Sequence, residues 1–262
     1  MTQNLLIFNH IPKTAGTSLK KIITEQYGDK HCFLCYGGVF GTQTIKDRVE
    51  ELNRQLLLED NRATNTAIKA VIGHVGYGLH TLIPERKFQH LTFLRDPVER
   101  VLSYYFDLNR QGKVGTQTGD QSEYISECIK TKFLIEADNW QTRYLSGTGW
   151  QNIILKGKGP KIEFGQCDSE LLKRAKENLK EHYWFGIQDE FVESINLLSY
   201  KFNWQVDNQD LKLNSAKKRQ NRQNIAPETI ECIKDLNWLD IELYEYSKAI
   251  FKEQAFKSKT LV

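Results

Sequence analysis

The chain has 262 residues, with 36 Lys and Arg against 33 Asp and Glu, a formal net charge of +3 and 40% hydrophobic residues. That composition fits a folded chain with a sizeable core and excludes disordered and fibrous classes, and so small a net charge does not by itself indicate nucleic-acid binding. The five cysteines are odd in number and sparse, which excludes a disulfide scaffold, and the pair Cys32 and Cys35 has no second ligand pair to complete a zinc or redox site.

An apolar run at about residues 4–9 reads as a strand, followed by a Lys/Thr/Gly/Ser loop and a helix from Thr17 to Tyr27 that turns Leu19, Ile22 and Ile23 inward. A short strand from Phe33 to Tyr36 and a turn containing Gly37, Gly38 and Gly41 precede a polar helix ending near Asp60. Two further apolar runs, Ala67 to Val75 and Gln89 to Leu94, read as buried parallel strands. After them Val98, Val101, Leu102 and Tyr105 recur at helical spacing. Asp96 stands at the N-cap of that helix, Pro97 at its first position and Glu99 at N3.

Helical patterns follow at Ser122 to Glu136 and Trp140 to Leu145, then an irregular stretch, 147–166, holding five glycines and a proline. A helix from Asp168 to His182, a strand from Trp184 to Ile187 and a helix through Phe202 form another alternating unit. The segment Lys212 to Asn224 is polar and basic, and Pro227 opens a helical tail carrying Leu239, Leu243, Tyr246 and Ile250. The expected fold is α/β, a P-loop-like three-layer arrangement of one central parallel sheet flanked by helices with a helix-rich C-terminal half, spanning residues 1–262 as one domain. No apolar run approaches the roughly 18 residues of a membrane span, and Leu5 to Phe8 lacks the flanks of a secretory signal. The expected location is cytoplasmic.

The first loop, Ile11 to Ser18, puts small residues, hydroxyls and one lysine at a helix N-terminus, where unpaired N–H groups and the helix dipole favour an anion. Gly16 permits close backbone approach, Thr17 and Ser18 add hydroxyls, and Lys13 brings a charge. The order of residues is not that of a Walker A loop, because the lysine precedes the glycine. Arg95 ends a buried strand, where open α/β sheets bind ligands, and Ser103 lies about two turns into the following helix, within reach of the same phosphate. Asp96 admits two readings, a helix cap or a metal ligand at the end of an apolar strand.

Together, Pro12 to Ser18 and Arg95 to Tyr105 resemble the two donor-binding motifs of sulfotransferases that use 3′-phosphoadenosine 5′-phosphosulfate, particularly the carbohydrate branch that includes heparan sulfate 2-O-sulfotransferases. The resemblance implies that Lys13, Thr14, Ala15, Gly16, Thr17 and Ser18 grip the 5′ phosphosulfate, that Arg95 and Ser103 take the 3′-phosphate, and that Lys217 and Arg219 close over it. The segment Ile72-Gly73-His74 resembles one in which two histidines flank a glycine; here Ile72 replaces the first, leaving His74 as the candidate base. A neutral imidazole, with an ordinary pKa of about 6.5, accepts a hydroxyl proton at physiological pH.

The expected reaction is sulfuryl transfer to a hydroxyl-bearing acceptor such as a saccharide, lipid or metabolite, with Lys13 neutralising the departing phosphate and no metal ion required. Gln141, Arg143 and Tyr144 are read as lining the acceptor cleft, and His80 as touching the acceptor. The competing reading is a magnesium-dependent nucleotide kinase with Asp96 as a metal ligand. No nucleic-acid partner and no transmembrane segment are expected.

Overall fold

The computed structural model describes residues 4–36, 44–60, 67–84, 86–114, 121–132, 134–147, 162–206 and 225–259. Five strands, β1 (Leu5–Asn9), β2 (Cys32–Cys35), β3 (Ala70–Gly73), β4 (Phe88–Leu94) and β5 (Tyr183–Ile187), form one parallel sheet in the order β2-β3-β1-β4-β5. The helices are α1 (Gly16–Tyr27), α2 (Ile45–Asp60), α3 (Pro97–Arg110), α4 (Gln121–Lys130), α5 (Trp140–Ser146), α6 (Ser169–His182), α7 (Phe191–Phe202), α8 (Pro227–Leu236) and α9 (Trp238–Lys259). No helix among the described residues is long and apolar enough to cross a membrane.

Buried parallel strands read as nearly continuous apolar runs because both faces are covered, and β1 is buried at all five positions. Its Leu6 and Phe8 pack on one face with Leu19, Ile22 and Ile23 of α1 and Phe191, Ile195 and Leu198 of α7. Leu5 and Ile7 face the other way, against Val49, Leu52 and Leu56 of α2. Beyond them, α5, α6 and α9 cover Tyr183, Phe185 and Ile187 of β5, and α3, α4 and α8 form a satellite cluster around Val101, Ile125 and Ile233. The packing leaves no room for side chains at two glycines. A Cβ at Gly186 would lie 2.4 Å from the Phe93 ring, and one at Gly73 would lie 1.9 Å from the carbonyl oxygen of Cys35.

The strand order determines where a ligand can sit. From β1 the chain crosses through α1 to β2 on one side, and from β4 it proceeds to β5 on the other. The reversal opens a crevice at the carboxyl ends of β1 and β4, the position where open α/β sheets bind ligands. Both motif loops leave the sheet at that point.

The sequence-based boundaries shift in three places. The run from Ala67 to Val75 supplies only four strand residues, Ala70–Gly73, because those alone pair with both β1 and β2. The helix expected through Glu136 stops at Lys130 and resumes as a short 3₁₀ turn, Ile135–Ala137. The C-terminal tail is two helices, because Asn237 interrupts it. Its fully buried side chain donates to the carbonyls of Ala137 and Ile233 and accepts from the backbone N–H of Asn139, so it serves a tertiary junction instead of continuing a helix face.

Candidate active site

The loop between β1 and α1 is closed by Thr14, whose hydroxyl donates to the Ile11 carbonyl at 2.8 Å. The Thr14 hydroxyl is therefore engaged inside the loop, and the residue is fully buried. Lys13 and Ala15 both adopt left-handed backbone, at φ 71° and 63°. Such a conformation costs an L-residue of order 1 kcal/mol or more, and strain of that kind collects at functional sites. Helix α1 then begins at Gly16 with no side-chain cap, leaving its first N–H groups free to bind an anion.

Gly16 is required by sterics, since an added Cβ would fall 1.7 Å from Nε2 of His10. His10 had no role in the sequence reading. In the structure its ring covers Gly16, its Nδ1 lies 3.0 Å from the Tyr36 hydroxyl, and its centroid is 4.7 Å from that of His74. Tyr36 meets His74 edge-on, also at 4.7 Å. The three rings follow β1, β2 and β3, so the sheet itself lines them up at its carboxyl edge. Burial is the main reason the His74 pKa falls to about 4 and that of His10 to about 3; for His10 the neighbouring His74, Lys20 and Lys13 push further in the same direction. Both rings are neutral over the physiological range.

Asn9, the fully buried last residue of β1, holds the segment after β3 in place. Its amide nitrogen donates to the carbonyls of Val75 and Gly76 at 3.0 Å each, and its backbone carbonyl accepts from the Thr92 hydroxyl at 2.9 Å. These bonds locate His74 relative to the first loop.

On the other side of the crevice, Asp96 is a helix cap. Its carboxylate accepts from the Glu99 N–H at 3.0 Å, with Pro97 in the first turn of α3. Arg95 sits against the first loop, with Nη1 donating to the Lys13 carbonyl at 3.1 Å and Nη2 lying 4.0 Å from Glu99. The Lys13 ammonium extends toward α3 and pairs with Asp107 at 3.1 Å. Asp107 lies one turn beyond Ser103, on the same face of α3. Glu136 lies 3.8 Å from the fully buried Arg100, and burial lifts its carboxyl to about 7 against the pull of Arg100 and Lys13. Lys217 and Arg219 lie outside the described residues.

The residues expected to line an acceptor cleft have other roles. Gln141 is fully buried and brackets Arg95: its side-chain oxygen accepts from the Arg95 N–H at 3.0 Å and its nitrogen donates to the Arg95 carbonyl at 2.9 Å. Asp240 of α9 in turn caps α5, accepting from the N–H groups of Gln141 and Thr142. Arg143 is committed to Asp138 and to the carbonyls of Ile162 and Glu163, and Tyr144 is buried in the core. His80 belongs to a separate cluster, with its Nδ1 3.1 Å from Nε2 of the buried His90.

The loop after β1 and the turn after β4 thus meet where the strand order reverses, through the Arg95 guanidinium on the Lys13 carbonyl. A model of the sulfotransferase family matches residues 2–247. The chain belongs to that family. It is 24% identical over 283 residues to heparan-sulfate 6-O-sulfotransferase 2 of Danio rerio, covering 96% of this chain but 58% of that protein. Against the Gallus gallus enzyme of the same name identity is 28%, with 96% and 68% covered, and against heparan-sulfate 6-O-sulfotransferase 1 of Homo sapiens it is 28%, with 96% and 66% covered. These relatives are 6-O enzymes of the carbohydrate branch, whereas the motif resemblance pointed to the 2-O enzymes within it. A structure of mouse sulfotransferase SULT7A1 complexed with PAP aligns over 91% of this chain and 75% of that one, at TM-score 0.42 and 13% identity.

Proposed function

We propose that this sulfotransferase moves a sulfuryl group from 3′-phosphoadenosine 5′-phosphosulfate to a hydroxyl of a saccharide. The observation that carries the reading is the contact between Arg95 and the Lys13 carbonyl at the point where the strand order reverses, because it joins the two motifs in one crevice. The backbone N–H groups at the start of α1, with Lys13, Thr17 and Ser18, would hold the 5′ end; Arg95 and Ser103 would hold the 3′-phosphate, with Lys217 and Arg219 as further candidates. Bound there, the donor supplies a sulfuryl group already joined to a phosphate leaving group.

The remaining chemistry belongs to the chain. His74 is neutral and accepts the acceptor hydroxyl proton at a ring nitrogen, and a base in that role contributes about 10²–10⁴-fold. Anionic charge brought beside the ring would lift its proton affinity from the low value of the free protein toward the working range. Lys13 balances negative charge on the leaving side, and the fixed N–H groups of the loop act without reorganising. Asp96 is engaged in capping α3, and the family match is to sulfotransferases, which does not support the kinase reading.

The test is calorimetry with adenosine 3′,5′-bisphosphate against 5′-AMP in EDTA, followed by transfer of labelled sulfate to oligosaccharides. Selective binding of the bisphosphate and a His74→Ala variant that keeps this binding while losing about 10²-fold or more in kcat are the expected results. Equal binding of the two nucleotides would defeat the reading.

A further inference from the structure

Lys20 lies on α1 just beyond the turn that supplies the free N–H groups. Long helical side chains lean toward the helix N-terminus, and the Lys20 ammonium accordingly sits 5.5 Å from the centroid of the Tyr36 ring, at the carboxyl edge of the sheet. That ring is the one that contacts both His74 and His10, and Lys20 is among the charges that act on His10. The cation, the aromatic face and the candidate base therefore form one continuous strip.

The charge of Lys20 is not balanced within the described residues. The other cations around the crevice each have an acid: Lys13 has Asp107, Arg95 has Glu99 and Arg100 has Glu136. Next along the helix, Lys21 pairs with Glu25 at 3.6 Å. Lys20 is partly buried, and among the described residues no carboxylate pairs with it. A half-buried ammonium over an aromatic face gains something from the ring, and an anion close by would add charge-assisted hydrogen bonds. The anionic ends of the donor are met by the α1 N-terminus, Lys13, Arg95 and Ser103, so the anion that Lys20 awaits is on the other substrate.

We propose that Lys20 and Tyr36 form an acceptor subsite for an acidic saccharide, Lys20 binding a carboxylate or sulfate substituent and Tyr36 receiving the C–H face of the sugar next to His74. The proposal rests on the reading of the His74 edge as the acceptor side. One acidic group on the sugar ring that carries the reacting hydroxyl, or on its neighbour, would then help place that hydroxyl at the base, and Lys20 would select for charge without taking part in the proton transfer.

The test compares a glucuronic-acid-containing oligosaccharide with the same oligosaccharide after carboxyl reduction, and with a carboxyl-reduced, N-sulfated form that separates carboxylate from sulfate recognition. Wild-type enzyme should prefer an acidic form over the neutral one by about 5- to 30-fold in KM, the size of one charged hydrogen bond in a partly exposed site. Lys20→Ala should bring that ratio close to one, and Lys20→Arg should restore most of it. Saturation-transfer NMR in the presence of adenosine 3′,5′-bisphosphate gives the same comparison for acceptor binding without turnover. Calorimetry of the bisphosphate itself separates the two readings, because intact donor binding with no charge preference among acceptors overturns this subsite alone. A Lys20→Ala variant that loses bisphosphate affinity as steeply as acceptor selectivity would also overturn it, placing Lys20 on the donor.

Discussion

The two loops that meet at the switch point are built in opposite ways. The β1–α1 loop has two left-handed residues, an uncapped helix start and a lysine held by a surface-side aspartate. The β4–α3 turn is capped by Asp96, started by Pro97 and clamped on both sides of the Arg95 backbone by Gln141. The first leaves the start of its helix without a side-chain cap and is under strain; the second is capped, braced and rigid, and presents the Arg95 guanidinium. Under the proposed function, the first loop would follow a changing charge distribution and the second would fix one end of the ligand, and the two constructions suit those roles.

The contrast can be broken most severely at the two charged side chains. Lys13→Ala should cost about 10²–10³-fold in kcat, the usual effect of losing one preorganised electrostatic partner, with a smaller change in bisphosphate affinity; single-turnover kinetics and calorimetry separate the two. Arg95→Ala should weaken adenosine 3′,5′-bisphosphate by about 10- to 100-fold and leave 5′-AMP almost unaffected, a difference read by calorimetry. A variant of Arg95 that weakened both nucleotides equally would mean that the second loop does not specialise in the 3′ end.

The brace comes next in size. Gln141→Leu leaves the Arg95 N–H and carbonyl without their partners and should destabilise by about 1–3 kcal/mol, while lowering the preference for the bisphosphate over 5′-AMP. Denaturant melts together with the calorimetric ratio test whether Gln141 acts through Arg95 or only through stability.

Acid should act through the buried histidines of the sheet. His10 follows β1, His74 follows β3 and His90 lies within β4, and burial lowers their pKa values to about 3, 4 and 3. In the unfolded chain these rings take up protons below about 6.5, so their contribution is complete above that pH and is lost as pH falls toward 3–4, at no more than about 1.4 kcal/mol per pH unit for each ring. Glu136, lifted to about 7, and the buried Asp240, also raised, act in the opposite sense, while His80, lowered by burial, adds to the histidine side. Thermal stability should therefore drop between pH 6.5 and 5, and less steeply in a His10→Asn variant.

The smallest effects sharpen the comparison by sign. Ala15→Gly relieves a left-handed L-residue and should stabilise by about 0.5–1 kcal/mol. Asp96→Ala removes a cap and should destabilise by about 1 kcal/mol. If both substitutions shifted the melting temperature the same way, the loops would not differ as described.

Much of this was readable in the sequence because it is local. The strands announced themselves as short apolar runs, and the cap of α3 as Asp96, Pro97 and Glu99 within four positions. The β1–α1 loop stood out because lysine, hydroxyls and glycine fall together at a helix start. His10, Tyr36, Asn9 and Asp107 were missed because their roles come from pairing across the chain: the His10–Tyr36 contact spans 26 positions and the Asn9–Val75 bond 66. His10 and Tyr36 nonetheless carried a signal, since each directly follows the carboxyl end of an apolar strand, where open sheets place ligand-facing groups. Gln141 was assigned to the wrong surface because its bonds are to the backbone of Arg95, 46 positions away, and no periodicity reports such a contact. The boundaries failed where a polar side chain at a junction, as at Asn237, overrides the hydrophobic pattern around it.

Asp240 gives the last helix a reach that its position in the chain conceals. It caps the short helix that carries Gln141, Gln141 clamps Arg95, and Arg95 touches the carbonyl of Lys13. A protein shortened to end before Asp240 would retain every letter of both motifs yet lose the far anchor of this relay, so on the proposed reading the C-terminus takes as much part in holding the nucleotide as the two loops do.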